Sequence, residues 1–264
     1  MKSQHICLVL VTTLFVACQH SPQFSVSGTL NGAEGGTLYL EHTALTHTTP
    51  MDSCVLDENG DFSLQAPSPQ YPDFYRLRVG SHSLPLAVDS IEEIVVSTSL
   101  DSLPYTLSIN GSKTSLTIAQ LRATARTATR EQLREQAQQT IVQNPRSLAA
   151  YYAVFLKQGG EYIWDLYNPA DRRMYQAVAT SFHTWMPDYE RSKALYAQVS
   201  SALKAEREIQ QQVAMRQLID NAENAFLDIA LQDDNGITQS LSDLRGKVIV
   251  LDFSAIEMEQ SKGY

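Results

Sequence analysis

Cysteine is scarce in this 264-residue chain: there are three, Cys7, Cys18 and Cys54. Basic residues are also short, 20 Lys and Arg against 29 Asp and Glu, for a formal net charge of −9. No dense Lys/Arg run occurs, which argues against nucleic acid as a partner, since tracking phosphates needs clustered cations. Long apolar runs are missing too. The longest, Ile6–Val16, is too short to span a bilayer as a helix and, behind Lys2, reads as a signal peptide. What remains is ample for folding: 43% of the residues are hydrophobic, enough for a packed core and room for one large domain or two ordinary ones.

The leader ends in Phe15-Val16-Ala17-Cys18, which resembles the lipobox of bacterial lipoproteins. The resemblance implies a signal peptide over 1–17, with Cys18 lipidated and made the first residue of the mature chain. It implies attachment to the inner or outer membrane of a Gram-negative envelope, facing the periplasm or the exterior. Several acyl chains anchor stably where one does not. Cys7 then leaves with the leader, and Cys54 is the one thiol left, so neither an internal disulfide nor a cysteine metal site is expected. Cys54 lies in a strand-like run and reads as an inert packed thiol.

Residues 18–23 read as a polar tether. From Phe24 to Ser112 the pattern is β: short alternating runs at Phe24–Leu30, Thr37–Leu40, Ser53–Leu56, Phe62–Leu64, Phe74–Val79, Leu84–Val88, Glu93–Ser97 and Tyr105–Ile109, broken by Asn-Gly and Gly-Gly turns. Such spacing predicts a β-sandwich or open barrel over 24–112. Phe24-Ser25-Val26-Ser27-Gly28, Leu38-Tyr39-Leu40, Asn59-Gly60-Asp61-Phe62, Tyr75-Arg76-Leu77 and Asn110-Gly111-Ser112 resemble a domain of unknown function found at the N-terminus of envelope thioredoxin-like lipoproteins.

Beyond Ser112 the period becomes helical, predicting four or five helices over 113–221. Stripes run through Ile118, Leu121, Ala125 and Ala128; Leu133, Ala137 and Ile141; Leu148, Tyr151, Tyr152 and Phe155; Met174, Val178, Phe182 and Trp185; and Leu195, Val199, Ala202, Ile209 and Val213. Thr129 with Gln132 forms a capping-box pattern; Asn144-Pro145 and Asn168-Pro169 read as helix starts, Gly159-Gly160 as a stop, and Asp188 as the cap of the last helix.

Residues 226–264 open with a hairpin signal, Asp233-Asp234-Asn235-Gly236, and continue into Leu241-Ser242-Asp243-Leu244-Arg245-Gly246-Lys247 and the apolar run Val248–Phe253, which suits a buried central strand. This order resembles the start of the thioredoxin-like domain of the TlpA/ResA and AhpC/TSA type, cut short before its remaining strands. The resemblance implies a thiol-disulfide oxidoreductase with a Cys-x-x-Cys at a helix start. Met258 and Ser261 stand at those two positions, and neither a thioether nor a hydroxyl replaces a thiolate in disulfide exchange.

Other constellations read as structure. His42 and His47 share a Thr-rich loop with no third metal ligand in sight. Asp57-Glu58-Asn59-Gly60-Asp61 has its glycine fourth, not sixth as a calcium loop requires, and reads as a hairpin turn. Gly111-Ser112-Lys113-Thr114 lacks the upstream glycine of a phosphate-binding loop. Tyr151, Tyr152, Tyr162, Trp164, Tyr167, Tyr175 and Trp185 give the helical region an aromatic content that suits a core or a groove for a peptide or glycan. Asp89-Ser90-Ile91 and Asp101-Ser102-Leu103 resemble a short O-glycosylation sequence of envelope proteins.

The expectation is thus an N-terminal all-β sandwich, a central α-helical region and an incomplete C-terminal α/β thioredoxin-like domain. No catalytic, metal or cofactor site is expected. The function expected is a non-redox binding or structural role at the membrane, with a protein or peptide as partner. Two alternatives stand beside it: a thiol-disulfide oxidoreductase or antioxidant protein whose cysteines lie beyond Tyr264, and a glycan- or ligand-binding envelope module.

Overall fold

The structure is a computed structural model and describes residues 22–224 and 228–250. Cys18, most of the tether, residues 251–253 of the apolar run, Met258 and Ser261 lie outside the described residues. Two compact units are present, one ending at Leu203 and one beginning at Lys204.

The first unit starts with eight strands: β1 (Gln23–Asn31), β2 (Thr37–Thr43), β3 (Thr48–Val55), β4 (Asp61–Pro67), β5 (Asp73–Val79), β6 (His82–Val88), β7 (Glu93–Ser99) and β8 (Ile109–Asn110). They form two four-stranded sheets, ordered β4-β1-β7-β8 and β3-β2-β5-β6. The first is mixed, because β1 pairs antiparallel with β4 and parallel with β7; the second is wholly antiparallel. Alternation puts Phe24, Val26 and Leu30 of β1, Leu38 and Leu40 of β2, Leu64 of β4, Leu77 of β5 and Ile94 of β7 into one buried cluster shared by the two sheets. Each such aliphatic side chain removed from water contributes roughly 2 kcal/mol.

The Asp57–Asp61 segment is a turn, with Asp57 Oδ1 accepting from Asn59 N (2.9 Å) and Asp61 N (2.8 Å). It is not a hairpin, since β3 and β4 belong to different sheets. The expected strand over Tyr105–Ile109 is replaced by a 3-10 turn, Leu103–Tyr105, followed by the two-residue β8. Pro104 sits in the first turn of that 3-10 helix, where its fixed φ fits and its missing N–H is not needed. Gly28 sits between β4 and β7 at φ 142°, where a Cβ would lie 1.8 Å from the Val96 carbonyl oxygen, so only glycine lets the strands approach.

Five helices follow: α1 (Lys113–Thr127), α2 (Arg130–Gln143), α3 (Leu148–Val154), α4 (Pro169–Trp185) and α5 (Glu190–Asn224), with a small hairpin, β9 (Lys157–Gln158) and β10 (Glu161–Tyr162), between α3 and α4. The Thr129/Gln132 capping box and the Asn168 cap form as expected. Asn144 does not start α3. Ser147 does, accepting from Ala150 N at 3.1 Å, and Gly159-Gly160 turns the β9–β10 hairpin instead of ending a helix. On α4 the buried face is Arg172, Tyr175, Val178, Ala179 and Phe182, leaving Trp185 65% exposed. Leu195, Val199 and Ala202 of α5 are buried, whereas Ile209 and Val213, which belong to the second unit, are exposed.

The helices form a second core that reaches the β part through Phe74 and Ala87, which face away from the inter-sheet cluster. The α1 start docks on β6, an edge strand: Ser115 Oγ accepts from Ala87 N (2.9 Å) and donates to Ala87 O (2.9 Å), and Ser112 Oγ donates to the same carbonyl (3.0 Å). Ser112 also accepts from Ser115 N. The Gly111-Ser112-Lys113-Thr114 segment therefore caps a helix and satisfies a sheet edge. Gly111 is required at φ 82°, with a Cβ otherwise 1.8 Å from the Glu93 carbonyl oxygen.

In the second unit the predicted hairpin forms, β11 (Ala230–Gln232) with β12 (Thr238–Ser240), its turn held by Asp233 Oδ1 accepting from Asn235 N and Ile237 N. A 3-10 turn, Leu241–Leu244, comes next. Val248–Val250 is not in a strand, and Val248 is 97% exposed. A strand requires a ladder partner, and none lies beside this run among the described residues. No helix among the described residues is long and apolar enough to cross a membrane.

Candidate functional site

Two neighbouring surfaces of the first unit gather polar chemistry. The first is a cleft of about 480 Å³ where the β2–β3 loop meets the start of α5, lined by His42, His47, Tyr71, Asp73, Tyr189 and Arg191 among others. Asp73 is its hub. Its Oδ2 meets His42 Nε2 at 2.8 Å, and its Oδ1 accepts from Tyr189 Oη (2.9 Å) and Arg191 Nε (2.9 Å). Arg191 is 7% exposed and also donates to the Thr43 carbonyl oxygen. Burial alone would raise the Asp73 carboxyl, but its bonds to His42 and Arg191 outweigh that and hold it below the usual range. Burial and the Asp73 charge push Tyr75 up to about 12, and the same two causes push Tyr189 strongly upward. Neither phenol is therefore activated as a nucleophile or base.

His42 is thus an anchor, and His47 Nδ1 lies 3.3 Å from the Thr46 hydroxyl oxygen. No group of three or more His, Cys, Asp or Glu placed to hold a metal occurs among the described residues. Cys54 on β3 is half-buried, and burial pushes its thiol up, the direction of lowered reactivity. Ser90 and Ser102 are exposed.

The second surface is a groove made of two adjoining clefts. The smaller, about 290 Å³, lies over the outer face of β5 and β6 and is lined by Phe74, Arg76, Pro85, Tyr151 and Arg191. The larger, about 410 Å³, lies between α1 and the β9 turn and is lined by Tyr105, Arg126, Ala125, Lys157 and Gly159. Arg122, Tyr152 and Phe155 line both. Among the described residues no carboxylate lines either cleft. Nearby, buried Glu41 takes Arg76 Nε at 2.6 Å and Arg78 Nη2 at 2.8 Å. Its carboxyl is raised by burial but lowered further by these two guanidiniums, for a net shift below the ordinary 4.5.

The aromatic stripe divides accordingly. Tyr151, Trp164 and Tyr175 are core residues; Trp164 Nε1 donates to the Ala153 carbonyl oxygen at 3.1 Å. Tyr152 and Phe155 are half-buried and form the groove wall, while Tyr162, Tyr167 and Trp185 are exposed. Sequence reasoning singled out the aromatics but not Arg122, Arg126 and Lys157, which are scattered along the chain and lack a motif. A cation beside an aromatic on adjoining elements was the one signal available.

Residues 24–115, from β1 into the first turn of α1, match the family described as "Domain of unknown function (DUF4369)". No curated protein matches the chain. Among solved structures, a 9R-lipoxygenase from Cyanothece PCC8801 matches over 56% of this chain and 27% of that one, at 10% identity and a TM-score of 0.23, a likeness too slight to carry an argument. What the comparisons show is thus a likeness to the DUF4369 family over residues 24–115.

Proposed function

We propose that this is a lipid-anchored protein of the cell envelope that binds a partner in the groove walled by Arg122, Tyr152 and Phe155. The observation that carries the reading is the groove itself: aromatic faces and cations on an acidic protein, with no carboxylate among the lining residues. Tyr and Arg are the side chains most often found at the energetic centre of recognition surfaces. The Phe15-Val16-Ala17-Cys18 signal supports the anchor, and Met258 and Ser261 at the redox positions support a role without disulfide exchange.

Binding is tested with the mature protein against immobilised peptides and polysaccharides, comparing the native chain with Tyr152→Ala. A ligand lost in Tyr152→Ala is expected; binders indifferent to that change would refute the groove. Anchoring is tested separately. Cys18→Ala is expected to leave the membrane fraction, and a Cys18→Ala protein that stays with membranes contradicts lipidation.

A second reading, a thiol-disulfide oxidoreductase, is favoured by the Leu241–Lys247 and Asp252-Phe253 resemblance. It requires cysteines encoded beyond Tyr264. Dithiol reductase activity in this chain that survives Cys54→Ser would overturn the non-redox reading.

A further inference from the structure

The groove's cations differ in what holds them. Arg122 on α1 donates from Nε (3.3 Å) and Nη2 (3.1 Å) to the Pro104 carbonyl oxygen, and from Nη1 to Tyr152 Oη (3.3 Å). Arg126, one turn further along α1, lies over the Tyr105 ring at 3.8 Å; the Arg122 guanidinium is 6.0 Å from the same ring. Lys157 on β9 lies over the Tyr162 ring at 4.4 Å. None of the three has an ion pair among the described residues. Rings and carbonyls fix a cation's position without cancelling its charge. Three oriented, uncompensated positive charges on a chain of net charge −9 form an anion site already assembled, with little ordering left for the ligand to impose.

We propose that the groove takes an extended acidic peptide segment carrying two carboxylates on alternate residues, followed two positions on by a bulky apolar side chain. The proposal rests on the groove reading above and names its partner. Spacing supports a peptide. Four residues of α1 advance about 6 Å from Arg122 to Arg126, and alternate residues of an extended chain, which share a face, are about 6.8 Å apart. Continuing in the same direction past Arg122, the next side chain on that face reaches Tyr152 and Phe155 and the smaller cleft. That cleft, about 290 Å³ and walled by Phe74, Pro85 and Tyr151, has room for one large apolar group. The carboxylates give register and salt sensitivity, and the apolar side chain gives buried area.

The probe is a fluorescent peptide with a Glu-Ser-Glu-Ser-Phe centre, titrated by anisotropy into the mature chain. Its comparisons are Gln-Ser-Gln-Ser-Phe and Glu-Ser-Glu-Ser-Ser peptides and polygalacturonate as competitor. The Glu peptide is expected to bind about tenfold more tightly than the Gln peptide, a difference of two exposed charge pairs. The advantage is expected to shrink between about 20 and 200 mM salt. Arg126→Gln and Lys157→Gln, both surface changes, are each expected to weaken the Glu peptide severalfold and the Gln peptide by less. Equal binding of Glu and Gln peptides, still lost in Tyr152→Ala, would overturn the acidic partner and leave the groove standing. Polygalacturonate binding without peptide binding would overturn the peptide and leave an anionic glycan. Failure of every probe to bind below about 1 mM would overturn both readings.

Discussion

Two sets of cations share the first unit and are treated in opposite ways. Arg76, Arg78 and Arg191 each meet a carboxylate, Glu41 or Asp73, that is itself buried or nearly so. Arg122, Arg126 and Lys157 meet carbonyls and rings. The first arrangement ties strands to each other and to the start of α5, and its charges are spent internally. The second holds its side chains in place and leaves their charge to act on something else. Composition does not distinguish the two sets; only the partner does.

The sharpest way to break the contrast is to remove a carboxylate from the paired set. Asp73→Ala strands Arg191 in a buried position and takes a bond from Tyr189 and His42. A loss of about 3 kcal/mol in urea unfolding is expected, the cost typical of uncovering one partner of a buried pair. A loss below about 1 kcal/mol would mean that the hub is solvated and that Arg191 needs no counter-charge.

Acid probes the same set more gently. Glu41 and Asp73 have folded-state pKa values below their ordinary 4.5 and 3.8. Their contribution is therefore fully present above those ordinary values and lost as pH falls from there through the folded values. The melting temperature should change little on their account between about pH 5.5 and 7 and fall below about pH 4.5. Glu41→Gln should lower stability at neutral pH and flatten that acid decline, as followed by circular dichroism. An unchanged slope would remove Glu41 from the account.

The smallest expected effect belongs to the unpaired set. Arg126→Gln removes an exposed cation that no carboxylate contacts among the described residues, so stability should move by no more than about 0.5 kcal/mol. A larger loss would show that the Tyr105 contact supports the fold and would blur the distinction between the sets.

What was legible in the sequence was what three or four residues decide among themselves. The Thr129–Gln132 box, the Asn168-Pro169 start and the Asp233–Gly236 turn each close hydrogen bonds within one turn of chain. The stripes of α1 and α2 follow from helical period alone. The same reasoning missed Ser147, because Asn144 and Ser147 are both competent caps and packing of the following Leu148–Val154 face chose between them. It put Trp185 in the α4 stripe and left Tyr175, noted only as one of the aromatics, out of it, although the helix rotates Tyr175 and Arg172 inward. The groove was half visible: its aromatics drew notice, and its cations did not.

The sequence by itself determined the β-to-α order, most helix starts and the alternation that builds the inter-sheet core, because those depend on local hydrogen bonding and on periods of two and 3.6 residues. Tertiary structure alone decided that β1 lies parallel to β7, that Asp73 meets Tyr189 and Arg191 across 116 and 118 residues, and which arginines are left without a carboxylate. Charge compensation is a property of distance in space. Sequence separation sets no bound on it, so it appears only once the chain has folded.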